Sequence, residues 1–250
     1  MLESTTSTND DALRLLASGS PQGTVVIASS QTAGRGRLAR RWHSAADVGL
    51  YLSVILRPCA PLEELTRWTV GSALAACLAC RERSGCCVEI EWPNDLVALG
   101  RKVAGTLAEA RSMGGRAAGL VLGTGFNVNH EIADFPPELR DSATSLRIAR
   151  GGGPRLDRED LAAAYLRRLG DVAARLERGE WGSVAADWSE RAPASAGRKV
   201  VVATSDGGAT TRISGTTAGL DAHGALLVER TDGAGTIRVR LSDAVIPAEA

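Results

Sequence analysis

VEIEWPNDLVALGRKVAGTLAEA (residues 88–110) and the following RSMGGRAAGLVLGTGFNVN (residues 111–129) decide how this chain folds. Val88-Glu89-Ile90-Glu91-Trp92 alternates as a strand and is closed by Pro93-Asn94-Asp95. Asp95 to Leu99 and Lys102 to Ala110 predict a hairpin around Gly100-Arg101. Ala117 to Val128 predicts the next strand, with Gly114-Gly115 as the turn before it. Consecutive strands joined by short turns must pair antiparallel.

Working outward, Ser7-Thr8-Asn9 before Asp10 to Leu16 predicts a capped helix ending near Gly19. Thr24 to Ala28 predicts a strand, and Gln31 to Asp47 a long loop rich in glycine and arginine. Val48 to Leu56 predicts a strand stopped at Pro58, and Leu62 to Arg83 a long helix. Asp157 to Leu176 predicts a helix with Asp157 and Asp160 suited to its N-terminus, and Trp181 to Arg191 a second. Composition shifts at Pro193-Ala194-Ser195-Ala196-Gly197. Short β runs follow at Lys199–Ala203, Thr210–Thr217, Ala225–Val228 and Thr236–Leu241. The expected fold is α+β: a mixed, largely antiparallel sheet with helices over 1–192, then a small C-terminal SH3-like β-barrel over 197–250.

The balance of 29 Lys+Arg against 29 Asp+Glu gives a formal net charge of zero, which argues against a dedicated nucleic-acid binder. No run of about 18 apolar residues crosses a membrane. Met1 to Asn9 is polar and does not read as a signal peptide. The odd set Cys59, Cys77, Cys80, Cys86 and Cys87 argues against a secreted disulfide framework and for a reducing cytoplasm. Cys77 and Cys80 have zinc-like spacing, but they lie in an Ala-rich helical stretch where Cys packs as a small apolar residue. No metal site built from protein side chains is expected.

Three stretches carry chemistry. Gln31-Thr32-Ala33-Gly34-Arg35-Gly36-Arg37 to Trp42 leaves a strand and offers glycine N–H groups beside guanidinium forks, which suits an anion. A solvated basic loop is the plainer reading, and a P-loop's Lys-Ser/Thr ending is missing. Trp92-Pro93-Asn94-Asp95 with Arg101-Lys102-Val103-Ala104-Gly105 places a cation and a glycine on one strand; turn and hairpin-tip chemistry is the alternative. Gly123-Thr124-Gly125-Phe126-Asn127-Val128-Asn129 puts glycines inside a strand, which implies either a bulge or something lying against the bare backbone.

Together with Ser7-Thr8-Asn9 and Ala143-Thr144-Ser145-Leu146, these motifs in this order resemble the biotin protein ligases, from about residue 4 to 150. The tail is similar, with weaker motifs, to that family's SH3-like domain. The resemblance implies a class II synthetase-like catalytic domain. It implies ATP-dependent activation of biotin to biotinyl-5′-AMP and transfer to one lysine of a biotin carboxyl carrier protein. ATP and Mg²⁺ are then co-substrate and ion, biotin is the substrate, and no cofactor is permanently bound. Lys102 matches the lysine at the carboxylate and α-phosphate, Arg37 the arginine that holds the adenylate, and Asp95 a group that orients or deprotonates the incoming lysine. Ser7, Thr8, Asn9 and Gln31 match the biotin head-group site. Gly34, Arg35 and Gly36 match the loop that orders over ligand, and Gly105 and Gly125 the backbone room. Trp42, Asn94 and Asn127 match the nucleotide region, with a core aromatic as the alternative for Trp42.

The sequence departs from the family at Glu91, where a lysine is usual; this reverses a charge near the expected site and puts ATP affinity or rate in question. The strand before Ser7 is shortened to Leu2–Thr6, which suggests a truncated start. No N-terminal helix-turn-helix is present, so repression of DNA is not expected. A monomer or a homodimer, with neither nucleic acid nor membrane as partner, is the expected state. A lipoate or octanoyl transferase of the same fold, or a biotin-binding protein without ligase activity, are the alternatives.

Overall fold

The computed structural model describes residues 2–58, 64–113, 116–206 and 209–248. The expected turn at Gly114-Gly115, the start of the long helix at Leu62, and Cys59 lie outside the described residues.

A seven-stranded sheet forms the first unit. Its strands are β1 (Leu2–Thr5), β2 (Val25–Gln31), β3 (Gly49–Leu56), β4 (Glu89–Glu91), β5 (Asp95–Ala98), β6 (Arg101–Met113) and β7 (Arg116–Asn127), in the order β1-β2-β3-β7-β6-β5-β4. Only β1 and β2 run parallel; the other neighbours are antiparallel, as the short turns require. Every residue of β3 is buried, because both faces of the sheet are covered. On one face lie α2 (Leu65–Ser84), α4 (Arg158–Glu177) and α5 (Trp181–Ser189), which close the main core with Leu50, Leu52, Val54, Leu120, Leu122 and Phe126. On the other face α1 (Thr8–Ala17) sets Ala12 and Leu16 against Val26, Ile55 and Val121. A single turn of helix, α3 (Leu146–Ala149), is a further element that the sequence pattern did not reveal.

Two capping expectations had different outcomes. Asp157 caps α4, its carboxylate accepting from the N–H groups of Glu159 at 2.8 Å and Asp160 at 3.1 Å. Asp157→Ala is expected to cost about 1 kcal/mol, or roughly 2–4 °C in Tm, measurable by thermal unfolding. Ser7 occupies the N-cap position of α1 but makes no side-chain cap bond. The buried Cys77 and Cys80 pack in α2, where Cys77 Sγ donates to the Val88 carbonyl at 3.2 Å and burial pushes its thiol up to about 11.

The C-terminal unit is a second sheet, formed by β8 (Ala196–Asp206), β9 (Ala209–Leu220), β10 (Leu226–Arg230), β11 (Thr236–Val239) and β12 (Ala244–Pro247), in the order β11-β10-β9-β8-β12. β12 was not expected from the sequence. No closed barrel is seen: β11 and β12 are the edges of an open antiparallel sheet and do not pair with each other among the described residues. Its small core is Val200, Val202, Leu226, Val228 and Val239. Trp92 packs against both this core and the main one, and its Nε1 donates to the Gly224 carbonyl at 3.0 Å. Among the described residues, no helix is long and apolar enough to cross a membrane.

Candidate active site

The α1 face of the sheet holds a cavity of about 340 Å³, within the usual range for small-molecule sites. Along β7 the side chains of that face are repeatedly glycine, and each glycine accommodates a specific neighbour. A Cβ on Gly119 would strike Leu16, one on Gly123 would overlap the amide of Asn9, and one on Gly125 would lie 2.5 Å from the Trp42 indole. Of the two sequence readings of these glycines, close approach to bare backbone is the one the structure bears out.

β6 supplies the cation. Its pairing with β5 shifts register between Leu96 and Val97, so that Val97 faces Lys102 while Leu96 faces Ala104. The extra residue, Val103, is buried in the main core. This bulge re-aims the strand and brings Lys102 and Gly105 to the same side: a Cβ on Gly105 would lie 3.0 Å from Lys102 Cε. Lys102 Nζ is 2.6 Å from Asp95 Oδ1 and 5.4 Å from the Trp42 ring centroid. The backbone of Lys102 is anchored separately, its N–H donating to the Ser142 carbonyl at 2.8 Å and its carbonyl accepting from Thr144 N–H at 2.9 Å. Asn127 Nδ2 approaches the same carbonyl at 3.5 Å.

The arginine loop folds back on itself as a narrow hairpin. Arg35 bridges Arg41, Gly36 N–H donates to the Arg40 carbonyl at 2.7 Å, and Arg40 N–H to the Arg37 carbonyl at 3.1 Å. The tip residues Leu38 and Ala39 have φ of 55° and 57°, a left-handed pair that hairpin turns require and that ordinarily favours Asn-Gly. Arg37 Nη1 donates to Asn94 Oδ1 at 2.9 Å, and Nη2 to the carbonyls of Leu241 at 2.6 Å and Asp243 at 3.3 Å. Burial lowers the Arg37 pKa from its ordinary value, opposed by the charge of Asp95. Asn94 Nδ2 donates to the Thr106 carbonyl at 2.5 Å.

A polar group from α1 and β2 forms another part of the wall. Thr8 donates through both N–H and O–H to Gln31 Oε1, at 2.9 and 3.1 Å, and Gln31 Nε2 donates to Ser44 Oγ at 2.9 Å. Ser53 Oγ lies 2.8 Å from Thr8 Oγ1 and 2.6 Å from Asn9 Oδ1.

Of the residues singled out from sequence, Ser7, Thr8, Asn9, Gln31, Arg35, Gly36, Arg37, Trp42, Asn94, Asp95, Lys102, Gly105, Gly125 and Asn127 all line this cavity. Gly34 does not. Its carbonyl accepts from Trp42 N–H, and a Cβ there would lie 2.8 Å from the Trp42 carbonyl, so it shapes the loop from behind. The room beside Gly105 and Gly125 is taken by the side chains of Lys102 and Trp42. Glu91 is not part of the lining; its carboxylate accepts from Arg198 Nη1 at 2.8 Å, so the reversed charge is met by an arginine of the C-terminal sheet.

Sequence reading missed the wall formed by Phe135, Leu139, Ser142 and Ala143, although Ala143-Thr144 was noticed as a motif. It also missed His130, which is fully buried and stacked on Phe135 at 4.9 Å between ring centroids. Burial, with a smaller contribution from His43, pushes His130 down to about 4.

The model of the Biotin/lipoate A/B protein ligase family matches residues 1–127, and the chain belongs to that family. The bifunctional ligase/repressor BirA of Bacillus subtilis is 41% identical over 152 residues, covering 61% of this chain and 46% of the relative. The biotin--[acetyl-CoA-carboxylase] ligase of Mycobacterium tuberculosis is 37% identical over 173 residues, covering 66% of this chain and 60% of the relative. The chain thus spans about half the length of the first of these curated relatives. The biotin protein ligase of Aquifex aeolicus in complex with biotin and ATP superposes with a TM-score of 0.81 at 26% identity, covering 99% of this chain and 97% of that one.

Proposed function

We propose that this chain is a biotin protein ligase that activates biotin with ATP and transfers it to a lysine of a biotin carboxyl carrier protein. The observation that carries this reading is the convergence of Lys102, Arg37 and the Thr8–Gln31–Asn9 hydrogen-bonding group on one cavity, in a family of biotin and lipoate ligases. In the first step a biotin carboxylate oxygen bonds to the α-phosphorus of ATP, and pyrophosphate leaves with the bonding pair. In the second, the carrier's lysine amine bonds to the acyl carbon and AMP leaves.

Both reactants of the first step are anions, so fixed positive charge must be placed where they meet. Lys102 supplies a point charge there, and Asp95 holds it in place. Arg37 ties the loop to Asn94 beside the nucleotide region. Ser7, Thr8, Asn9 and Gln31 offer both donors and acceptors, as a ureido ring requires. Leu107 and Phe135 supply the less polar part of the lining for the thiophane ring and valeryl chain, while Gly105 and Gly125 make room for the Lys102 and Trp42 side chains. Trp42 and Asn127 border the nucleotide region. Arg35 and Gly36 belong to the loop that keeps water from the mixed anhydride. In this reading Asp95 also takes the proton of the incoming amine.

Asp95 is the one carboxylate among the described lining residues. That donor set fits a Mg²⁺ ion that arrives with the nucleotide's phosphates and keeps several waters. The ion would neutralise phosphate charge, with Asp95 as the carboxylate that would hold it.

The chain divides in this reading at Pro193–Ser195, into a catalytic domain over 1–192 and an SH3-like unit over 197–250. The reaction suits a cytoplasmic enzyme, since ATP and carboxylase carriers are met there. The test is pyrophosphate release with ATP, Mg²⁺ and biotin, beside a parallel reaction with lipoate. A biotin-dependent burst near one equivalent is expected. A burst with lipoate alone would assign the other substrate of the family, and biotin binding without release would leave a binding protein.

A further inference from the structure

One carboxylate outside the cavity wall connects the arginine loop to the polar group assigned to biotin's head. Glu109, on β6, places Oε2 2.8 Å from Arg35 Nη2 and 2.6 Å from Asn9 Nδ2, with Oε1 3.0 Å from the same guanidinium nitrogen. The other atom of the Asn9 amide, Oδ1, lies 2.6 Å from Ser53 Oγ, and the same hydroxyl is 2.8 Å from Thr8 Oγ1. Thr8 in turn holds Gln31. A continuous chain of hydrogen bonds therefore runs from Arg35 through Glu109 and Asn9 to Ser53, Thr8 and Gln31. Asp10 also binds Arg35, but it is not joined to Asn9 through this chain.

The pair Arg35–Glu109 is more than a quarter exposed on both sides. An isolated pair of this kind contributes little to stability. What distinguishes Glu109 is that two donors from different elements converge on one of its oxygens, and such charge-assisted bonds fix geometry. Asn9 is almost fully buried, and its amide sits in the space that a Cβ on Gly123 would fill.

We propose that Glu109 is a positioning residue that couples closure of the arginine loop to occupancy of the head-group site. Ligand bonded to Thr8, Asn9 or Gln31 fixes the Asn9 amide. The fixed amide holds Glu109, and Glu109 holds Arg35 and its loop over the cavity. By reciprocity, a closed loop orients Asn9 for ligand. This rests on the proposed biotin ligase activity.

The experiment compares wild type, Glu109→Gln and Asp10→Asn in three readouts: biotin KM in pyrophosphate release, kcat at saturating biotin, and the lifetime of the retained adenylate. Gln keeps the size of Glu but loses the charge toward which two donors converge. Glu109→Gln is expected to raise KM about fivefold and shorten adenylate lifetime by a similar factor, with kcat within about twofold and Tm unchanged. Asp10→Asn is expected to shorten the lifetime by about twofold and leave KM alone, because it loosens only the loop. The coupling is overturned if Glu109→Gln keeps wild-type KM and lifetime, or if the two variants behave alike. A wild type that releases no pyrophosphate with biotin overturns the ligase reading itself, and the coupling with it.

Discussion

Lys102→Ala is expected to lower biotin-dependent pyrophosphate release by about 100- to 1,000-fold, the usual loss when a preorganised charge is removed from a developing charge. Two unit anions brought to about 4 Å repel by roughly 4 kcal/mol at the effective dielectric of a partly exposed site, and a cation at similar range offsets that term. The fold should survive, because the bonds that hold this stretch to Ser142 and Thr144 are made by the backbone of Lys102. Asp95, left without its partner, is about one-third exposed and can be hydrated. The check is single-turnover pyrophosphate release beside thermal unfolding. Release at the wild-type rate from a folded variant would refute the assigned role. Lys102→Arg separates charge from shape: the slot beside Gly105 already holds Lys102 Cε within 3.0 Å of the Cβ position, and a planar fork does not fit it as an ammonium does.

Arg37→Gly is expected to shorten the lifetime of the bound adenylate by tenfold or more, a loss of about 1.5–3 kcal/mol for charged hydrogen bonds. The guanidinium binds Asn94 and two carbonyls of the turn between β11 and β12, so its removal unties the loop from both. Escaped adenylate acylates accessible amines without selection, and diffuse biotinylation of nearby lysines should follow. Mass spectrometry of a mixture with an unrelated protein checks this, alongside the rate at which radiolabelled adenylate leaves the enzyme. Glycine also frees the loop backbone; Arg37→Ala isolates the side chain. A lifetime unchanged in both variants would remove Arg37 from adenylate retention.

Much of this arrangement was legible in the chain. Alternation and turn residues between Val88 and Val128 specify an antiparallel hairpin stack, and β5, β6 and β7 form it. Glycines at 123 and 125 signalled close approach, though not that Asn9 and Trp42 would be the neighbours. Contacts made through long separation were not legible. Glu91 read alone is a reversed charge; its partner Arg198 stands 107 residues away. The wall from Phe135 to Ala143 has neither helical nor strand period, and it reaches Lys102 through main-chain bonds that any sequence can make. The capping reading of Ser7 failed because Ser7 meets the signature of an N-cap without making the bond. The barrel reading counted strands correctly up to β11, but strand count and turn spacing say nothing about whether the two edges meet.

The turn between β11 and β12 hydrogen-bonds Arg37 through two carbonyl oxygens, those of Leu241 and Asp243. A carbonyl is common to all twenty residues, so this handshake is indifferent to which side chains stand at 241 and 242. It is sensitive to spacing instead. Deleting one residue from the turn draws the chain by about 3.8 Å per Cα step, farther than a hydrogen bond tolerates. Asp243 is the exception, since its own carboxylate accepts from Arg240 N–H at 2.7 Å and sets the bend. Drift of composition in this tail is therefore compatible with an intact arginine loop, whereas a change of its length is not.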